Sequence, residues 1–371
     1  MNNLYSFYKN KKVLITGHTG FKGSWMCMEL LKFGADIVGY ALKPSQEVNL
    51  FDLCALSKEI KSYEGDVRDL QNLLKVFKDE KPEIVIHMAA QPIVRESYKN
   101  PVYTYDVNVM GTVNVLECVR LCDSVKSFVN VTTDKVYLNR DLNNAFKEDE
   151  MLCGYDPYSN SKSCSELVTY AYRNSFFGGD NCVTGDGRTV AVSTCRAGNV
   201  IGGGDFATDR IIPDCVRAVE KGEEIIVRNP FSTRPYEHVL EPVYVYLMLA
   251  MKQYSDTSFA GCYNVGPNDE DCVTTGELVN LFCDIWNSKL ESNGLNKASW
   301  IDKSDGGPHE AAFLKLDSSK LRNTFSWAPS WDIKTTMDKI IDWTEAYLLK
   351  EDFQKVMEDQ IDDFLRNQKS Y

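Results

Sequence analysis

A chain of 371 residues with 43% hydrophobic and 25% charged residues has the composition of a globular protein and not of a disordered one. Its length suits two domains, or one large domain carrying a lobe. The net charge of −12 gives a surface that repels phosphate backbones and anionic lipids, so nucleic acid and membranes are not expected as partners. An anionic ligand would have to be held locally, by arginine forks and backbone N–H groups.

No apolar run approaches the roughly 20 residues of a membrane span. Met1 runs straight into Lys11-Lys12-Val13-Leu14-Ile15, which leaves no room for a signal peptide. The 12 cysteines are scattered without a C-x-x-C pair, and histidine is scarce at four. This pattern predicts free thiols, a reducing cytoplasmic setting and no metal site.

In chain order, Val13–Thr16 reads as a buried strand, followed by a helix over Ser24–Lys32 closed by Gly34. Ile37–Tyr40 is a second strand, then comes a helix near Leu70–Phe77 and a strand at Ile84–His87. Val109–Leu121 is helical, Phe128–Thr132 is a strand, a helix follows Tyr158, and Val190–Thr194 is a further strand. Continuous apolar strands alternating with helices predict an α/β fold with a doubly wound parallel sheet, Rossmann-like, covered on both faces. The alternation loosens beyond about residue 196, which predicts a smaller interleaved lobe; Lys334–Gln368 reads as surface helices.

Gly17-His18-Thr19-Gly20-Phe21-Lys22-Gly23 places three glycines between the first strand and the first helix. A tight turn, close approach of a pyrophosphate and helix–strand packing each need one of them, and the helix N-terminus favours the anion. Asp66 and Val67 offer a carboxylate and an N–H to an adenine edge, while Ala89, Ala90 and Gln91 end their strand with small residues where a ligand passes. NAD is the expected cofactor, but after the second strand comes Ala41-Leu42-Lys43-Pro44, without the acidic residue that holds a ribose 2′-hydroxyl and with a Lys43 that could tolerate a 2′-phosphate, so NADP stays open.

Tyr158 and Lys162 stand four residues apart on one helix face. A nearby ammonium and a positive nicotinamide ring would lower the phenol toward use as a base. Thr133 is placed to share a hydrogen bond with the reacting hydroxyl, and Asp134 and Lys135 add an acid–base couple at the same strand end.

These segments, with Arg196-Ala197-Gly198-Asn199-Val200-Ile201-Gly202-Gly203-Gly204-Asp205 and Thr233–Leu240, resemble the extended short-chain dehydrogenase/reductases acting on nucleotide sugars, over nearly the full chain. The nearest branch is the 4,6-dehydratases, with CDP-glucose as the implied substrate and CDP-4-dehydro-6-deoxy-glucose as the product. The resemblance implies Thr133, Tyr158 and Lys162 as catalytic, Asp134 as the acid at the departing C6 hydroxyl, and a C4 oxidation, C5–C6 elimination and C6 reduction on one cofactor. It further implies cofactor contacts along Gly17, His18, Gly20, Phe21 and Lys22 and at Asn108, and substrate contacts at Asn199, Arg234 and Arg196. Residues 1–195, completed by part of 235–265, would bind the dinucleotide, and 196–371 would form mainly the nucleotide-sugar lobe with C-terminal helices. A homodimer or higher homo-oligomer through helices beginning near Asn108 and Tyr158 is implied as well.

Lys135 stands where other dehydratases carry a glutamate. Either its neutral amine takes the C5 proton, the favoured reading, or its ammonium stabilises the enolate while His18 or a water acts as base. An epimerase or reductase on the same scaffold has no use for Asp134, and a non-catalytic dinucleotide sensor has none for the Tyr158–Lys162–Thr133 set.

Overall fold

The computed structural model describes residues 3–139, 144–289, 295–303 and 313–368. Six parallel strands fill the first half: β1 (Lys12–Thr16), β2 (Asp36–Ala41), β3 (Lys61–Glu64), β4 (Ile84–His87), β5 (Ser127–Thr133) and β6 (Ala191–Ala197). Short strands β7 (Asn199–Ile201), β8 (Ile225–Val227), β9 (Thr233–Arg234) and β10 (Tyr236–His238) belong to the lobe, and β11 (Cys262–Val265) returns to the sheet. The strand order β11-β6-β5-β4-β1-β2-β3 reverses direction of growth at β1, the doubly wound topology expected.

The strands are apolar on both faces because both are covered. Val13, Ile15, Ile86, Val129 and Val131 join one core with the Leu240–Ser255 helix, while Leu14, Val38, Val85, Phe128 and Val192 join another with the Leu70–Glu80 and Gly111–Leu121 helices. A third core, built on Ile212, Val219, Phe282, Trp286 and Ile340, holds the lobe together. No helix among the described residues is long and apolar enough to cross a membrane.

Some of the expected elements take a different form. The helix expected over Ser24–Lys32 starts at Phe21, so Phe21 and Lys22 occupy its first turn and not the loop. The helix expected from Val109 begins as a π-helical turn at Asp106–Met110, a distortion of backbone bonding that side-chain periodicity does not register. The C-terminal helices Ile333–Leu348 and Phe353–Asn367 are not merely surface cover: Trp343, Met357, Ile361 and Phe364 are buried in the main core.

Candidate active site

The carboxyl ends of β1, β4, β5 and β6 face the lobe across a cavity of about 620 Å³. On the sheet side its wall includes Phe21, Lys22, Ala90, Thr133, Lys135, Tyr158 and Lys162; on the lobe side, Asn199, Asp205, Arg210, Arg228 and Arg234.

The glycine turn is built for close approach. Gly17 has φ +79°, and a Cβ there would lie 2.8 Å from the Ala89 nitrogen; at Gly23 it would lie 2.4 Å from the Gly17 oxygen. Both positions accept no side chain. Gly20 caps the Phe21–Lys32 helix without any side-chain hydrogen bond, so its first-turn N–H groups are not taken by a cap. A cradle with these properties fits a dinucleotide's phosphates.

Behind the cradle, Thr16 Oγ1 accepts from the Met88 and Ala89 N–H groups at 3.2 Å each, fixing the β4 exit against β1. Asn108 works the same way: its Oδ1 accepts from the Gln91 N–H at 2.8 Å, and its Nδ2 donates to the Gln91 carbonyl at 3.1 Å and to Ser161 Oγ at 2.9 Å. Asn108 and Gln91 therefore shape the loop and do not line the cavity; the Gln91 side chain is spent on Thr104 and the Ile93 N–H. Asp66 is gripped by Arg68, at 2.7 Å from its Nη2, which holds the carboxyl below its ordinary range. Val67 packs in the core against Gly111.

Two expected side chains point elsewhere. His18 turns away from the cavity, bonded through Nε2 to Ser62 at 2.7 Å and edge-on to Phe51, and burial pushes its imidazole down to about 4. It is no candidate for the C5 base. Arg196 lies on the opposite side of β6, where it donates to Glu166 at 2.9 Å and to Tyr137 at 2.8 Å; both members of this ion pair are buried. Strand alternation sends its neighbour Ala197 to the cavity and Arg196 to the helix behind.

At the centre, Thr133 Oγ1 donates to Asp134 Oδ1 at 2.8 Å, beside the Tyr158 hydroxyl. Burial pushes the Tyr158 phenol up to about 12, with the Thr133 bond and the Arg210 charge opposing. Lys162, one turn on, donates to the Val131 carbonyl at 3.1 Å, and burial with the Lys22 charge presses it down to about 8. Lys135 Nζ donates to Asp134 Oδ1 at 3.2 Å and to Asn199 Oδ1 at 3.4 Å. Asp134 itself lies just behind the wall, with its Oδ2 buried and unbonded among the described residues.

The profile of the family described as GDP-mannose 4,6 dehydratase matches residues 14–340. The chain belongs to that family. It is 43% identical to the CDP-glucose 4,6-dehydratase of Salmonella typhimurium, over 97% of this chain and 98% of the relative. It is 27% identical to the dTDP-D-glucose 4,6-dehydratase of Bos taurus, over 90% of this chain and 88% of that one. Among solved structures, dTDP-glucose 4,6-dehydratase from Bacillus anthracis in complex with NAD superposes with a TM-score of 0.71 at 21% identity, covering 94% of this chain and 99% of that chain. At that identity the likeness speaks for the fold.

Within the dehydratase fold, the lobe supplies cavity residues that sequence reasoning passed over. Arg210 pairs with Asp205 at 3.0 Å, and Arg228 bridges Asp209 at 2.6 Å and Asp214 at 3.1 Å. Asp205 and Asp214 line the cavity as well. Their arginine partners sit in no motif, and only the spacing to those acids hints at them. His87 is a core residue, bonded to Thr16 at 2.7 Å. His238 is packed between Trp25 and Trp331. His309 and Glu310 lie outside the described residues.

Proposed function

We propose that the protein is an NAD-dependent nucleotide-sugar 4,6-dehydratase, a hydro-lyase converting CDP-glucose to CDP-4-dehydro-6-deoxy-glucose. One observation carries this reading: Thr133, Lys135, Tyr158 and Lys162 line a single cavity, with Asp134 bonded directly behind them. An epimerase needs the Thr–Tyr–Lys set, but the Asp134–Lys135 pair has work only where a hydroxyl departs. The 43% identity to a CDP-glucose 4,6-dehydratase supports the choice of base and sugar.

The backbone at Gly17–Lys22 and Ala89–Ala90 would hold NAD, with the Asp66 region at its adenine end; a bound NAD supplies the acceptor and donor of hydride. Tyr158, paired with Thr133, takes the proton of the C4 hydroxyl once Lys162 and the cofactor's charge bring the phenol down from about 12. As the C6 hydroxyl departs, Asp134 passes on to it the proton of the Lys135 ammonium bonded to Asp134 Oδ1. Lys135, held by Asp134 and Asn199, places positive charge where the C4 oxygen becomes anionic. Arg210, Arg228 and Arg234 supply the cations that a diphosphate needs in an acidic protein.

The homodimer rests on one apolar strip, in which Val102, Met110 and Leu121 are exposed near Leu167, Tyr170 and Phe176 of the neighbouring helix. A second copy of the chain would cover it. Singly buried thiols such as Cys27 and Cys118 support a cytoplasmic setting.

The deciding experiment gives the protein CDP-glucose deuterated at C4. Deuterium recovered at C6 of a 4-keto-6-deoxy product supports the dehydratase. Label retained at C4 of an inverted sugar would replace it with an epimerase.

A further inference from the structure

The exit of β2 lacks the acid that a dinucleotide's adenosine ribose ordinarily meets there: the strand ends at Ala41, and Leu42 and Lys43 follow. The next strand carries a carboxylate at the same level. β2 and β3 pair in parallel, with Gly39 opposite Ser62 and Ala41 opposite Glu64. Side chains alternate along a strand, so Ser62 and Glu64 share one face of β3 and Tyr63 takes the other. Ser62 shows which face that is, because its Oγ is bonded to His18 Nε2 of the glycine turn at 2.7 Å. Tyr63 marks the opposite face, where it donates to Glu80 of the Leu70–Glu80 helix at 2.7 Å. Glu64 therefore stands on the cradle's side of the sheet, one layer beyond His18 toward the carboxyl edge, beside the place where an acid at position 41 would be. Neighbouring strands lie about 4.8 Å apart, a gap that an extended glutamate side chain spans.

Resting on the reading of the cradle as an NAD site, we propose that Glu64 accepts the hydrogen bond of the adenosine ribose 2′-hydroxyl and turns NADP away. The hydroxyl has a proton to donate and the carboxylate has lone pairs to take it, so NAD gains a charge-assisted bond. A 2′-phosphate offers anionic oxygens instead and meets a like charge. The cations that would rescue it are engaged. Lys43 Nζ lies 3.5 Å from Glu64 Oε2, and Arg68 is held at 2.7 Å by Asp66 and at 3.2 Å by Asp106. Two cations face three carboxylates, which leaves this end of the site negative. Lys43 taken alone is a mark of tolerance for NADP; paired with Glu64 it is the opposite.

The test is binding, read by calorimetry on the full-length protein freed of cofactor, with three ligands: NAD, NADP, and NAD whose adenosine ribose lacks the 2′-hydroxyl. The wild type should prefer NAD to both of the others, by about 10-fold or more over the deoxy analogue, as one charge-assisted hydrogen bond implies. Glu64→Ala should bind NAD and the deoxy analogue alike. Its preference for NAD over NADP should shrink at least about 10-fold, because Lys43 is then released to meet the phosphate. Adding Lys43→Ala to Glu64→Ala should take that gain in NADP affinity away. Glu64 and Lys43 are both exposed, so the variants should melt with the wild type in the absence of cofactor, and a change in affinity is then not a loss of fold. A Glu64→Ala protein that still tells NAD from NADP, or NAD from its deoxy form, as well as the wild type does overturns the proposal. So does a wild type that binds NADP as tightly as NAD. A protein that binds none of the three dinucleotides would remove the NAD reading itself, which a failure of discrimination alone leaves standing.

Discussion

The two walls of the cavity are made in different ways. The sheet wall presents backbone: a glycine at φ +79°, a bare helix N-terminus, and a β4 exit held from behind by Thr16 and Asn108. The lobe wall presents side chains, with Arg210 and Arg228 steered by Asp205, Asp209 and Asp214. A ligand common to a whole fold can be gripped through main-chain groups, whereas one substrate must be told from another by forks of charge. The sheet wall should therefore break when atoms are added and the lobe wall when they are removed.

The largest effect falls on the one side chain of the sheet wall that takes the substrate's proton. Tyr158→Phe keeps the ring's packing and removes the hydroxyl beside Thr133. Turnover should fall at least about 10²-fold with cofactor affinity unchanged, measured by steady-state kinetics beside titration of NAD. Near-normal turnover would end the assignment.

Next come the walls themselves. Arg234→Ala removes a buried cavity guanidinium, and charge-assisted bonds of about 1.5–3 kcal/mol imply a KM raised roughly 10- to 100-fold with NAD binding intact. Gly17→Ala does the converse. Its Cβ would press on Ala89 at 2.8 Å in a left-handed backbone, costing about 1–3 kcal/mol, so NAD affinity and thermal stability should both drop. If Gly17→Ala left NAD affinity intact while Arg234→Ala weakened it, the division between backbone and side-chain recognition would be wrong.

The same division explains what was legible in the sequence. The sheet wall lies in contiguous stretches, Gly17–Gly23 and Ala89–Gln91, whose spacing carries its geometry, and the strand order follows from apolar runs between helices. The Thr133–Lys135 and Tyr158–Lys162 sets were legible because each is local. Arg196 misled because a motif locates a residue along a strand but a one-residue alternation decides its face; here that face meets Glu166. Arg210 and Arg228 were missed because their meaning lies in partners up to 19 residues away across a lobe without regular alternation. Lys22 was counted as part of the glycine turn, and only the start of the helix at Phe21 shows its side chain facing the chemistry.

Buried carboxyls sharpen the contrast on the smallest scale. Glu166, behind the lobe-side edge, accepts from Arg196 and from Thr194 at 2.8 Å. Glu29, in the helix that carries the glycine turn, is fully buried with neither oxygen bonded among the described residues, and burial pushes its carboxyl up to about 8. In the unfolded chain that group ionises near pH 4.3 or so. Between there and about 8 the native protein holds a proton that the unfolded chain has lost, so rising pH removes stability. The slope is about 1.4 kcal/mol per pH unit for one such group, and it levels off once Glu29 ionises in the fold. Glu29→Met, similar in volume and apolar, should remove that contribution: little change near pH 4, and a gain that grows toward pH 8. Glu241, also raised to about 8, keeps its own share, so the slope should shrink without vanishing. Denaturant unfolding at several pH values between those limits measures it, and a variant whose stability runs parallel to the wild type throughout would show that Glu29 is ionised or hydrated in the native fold.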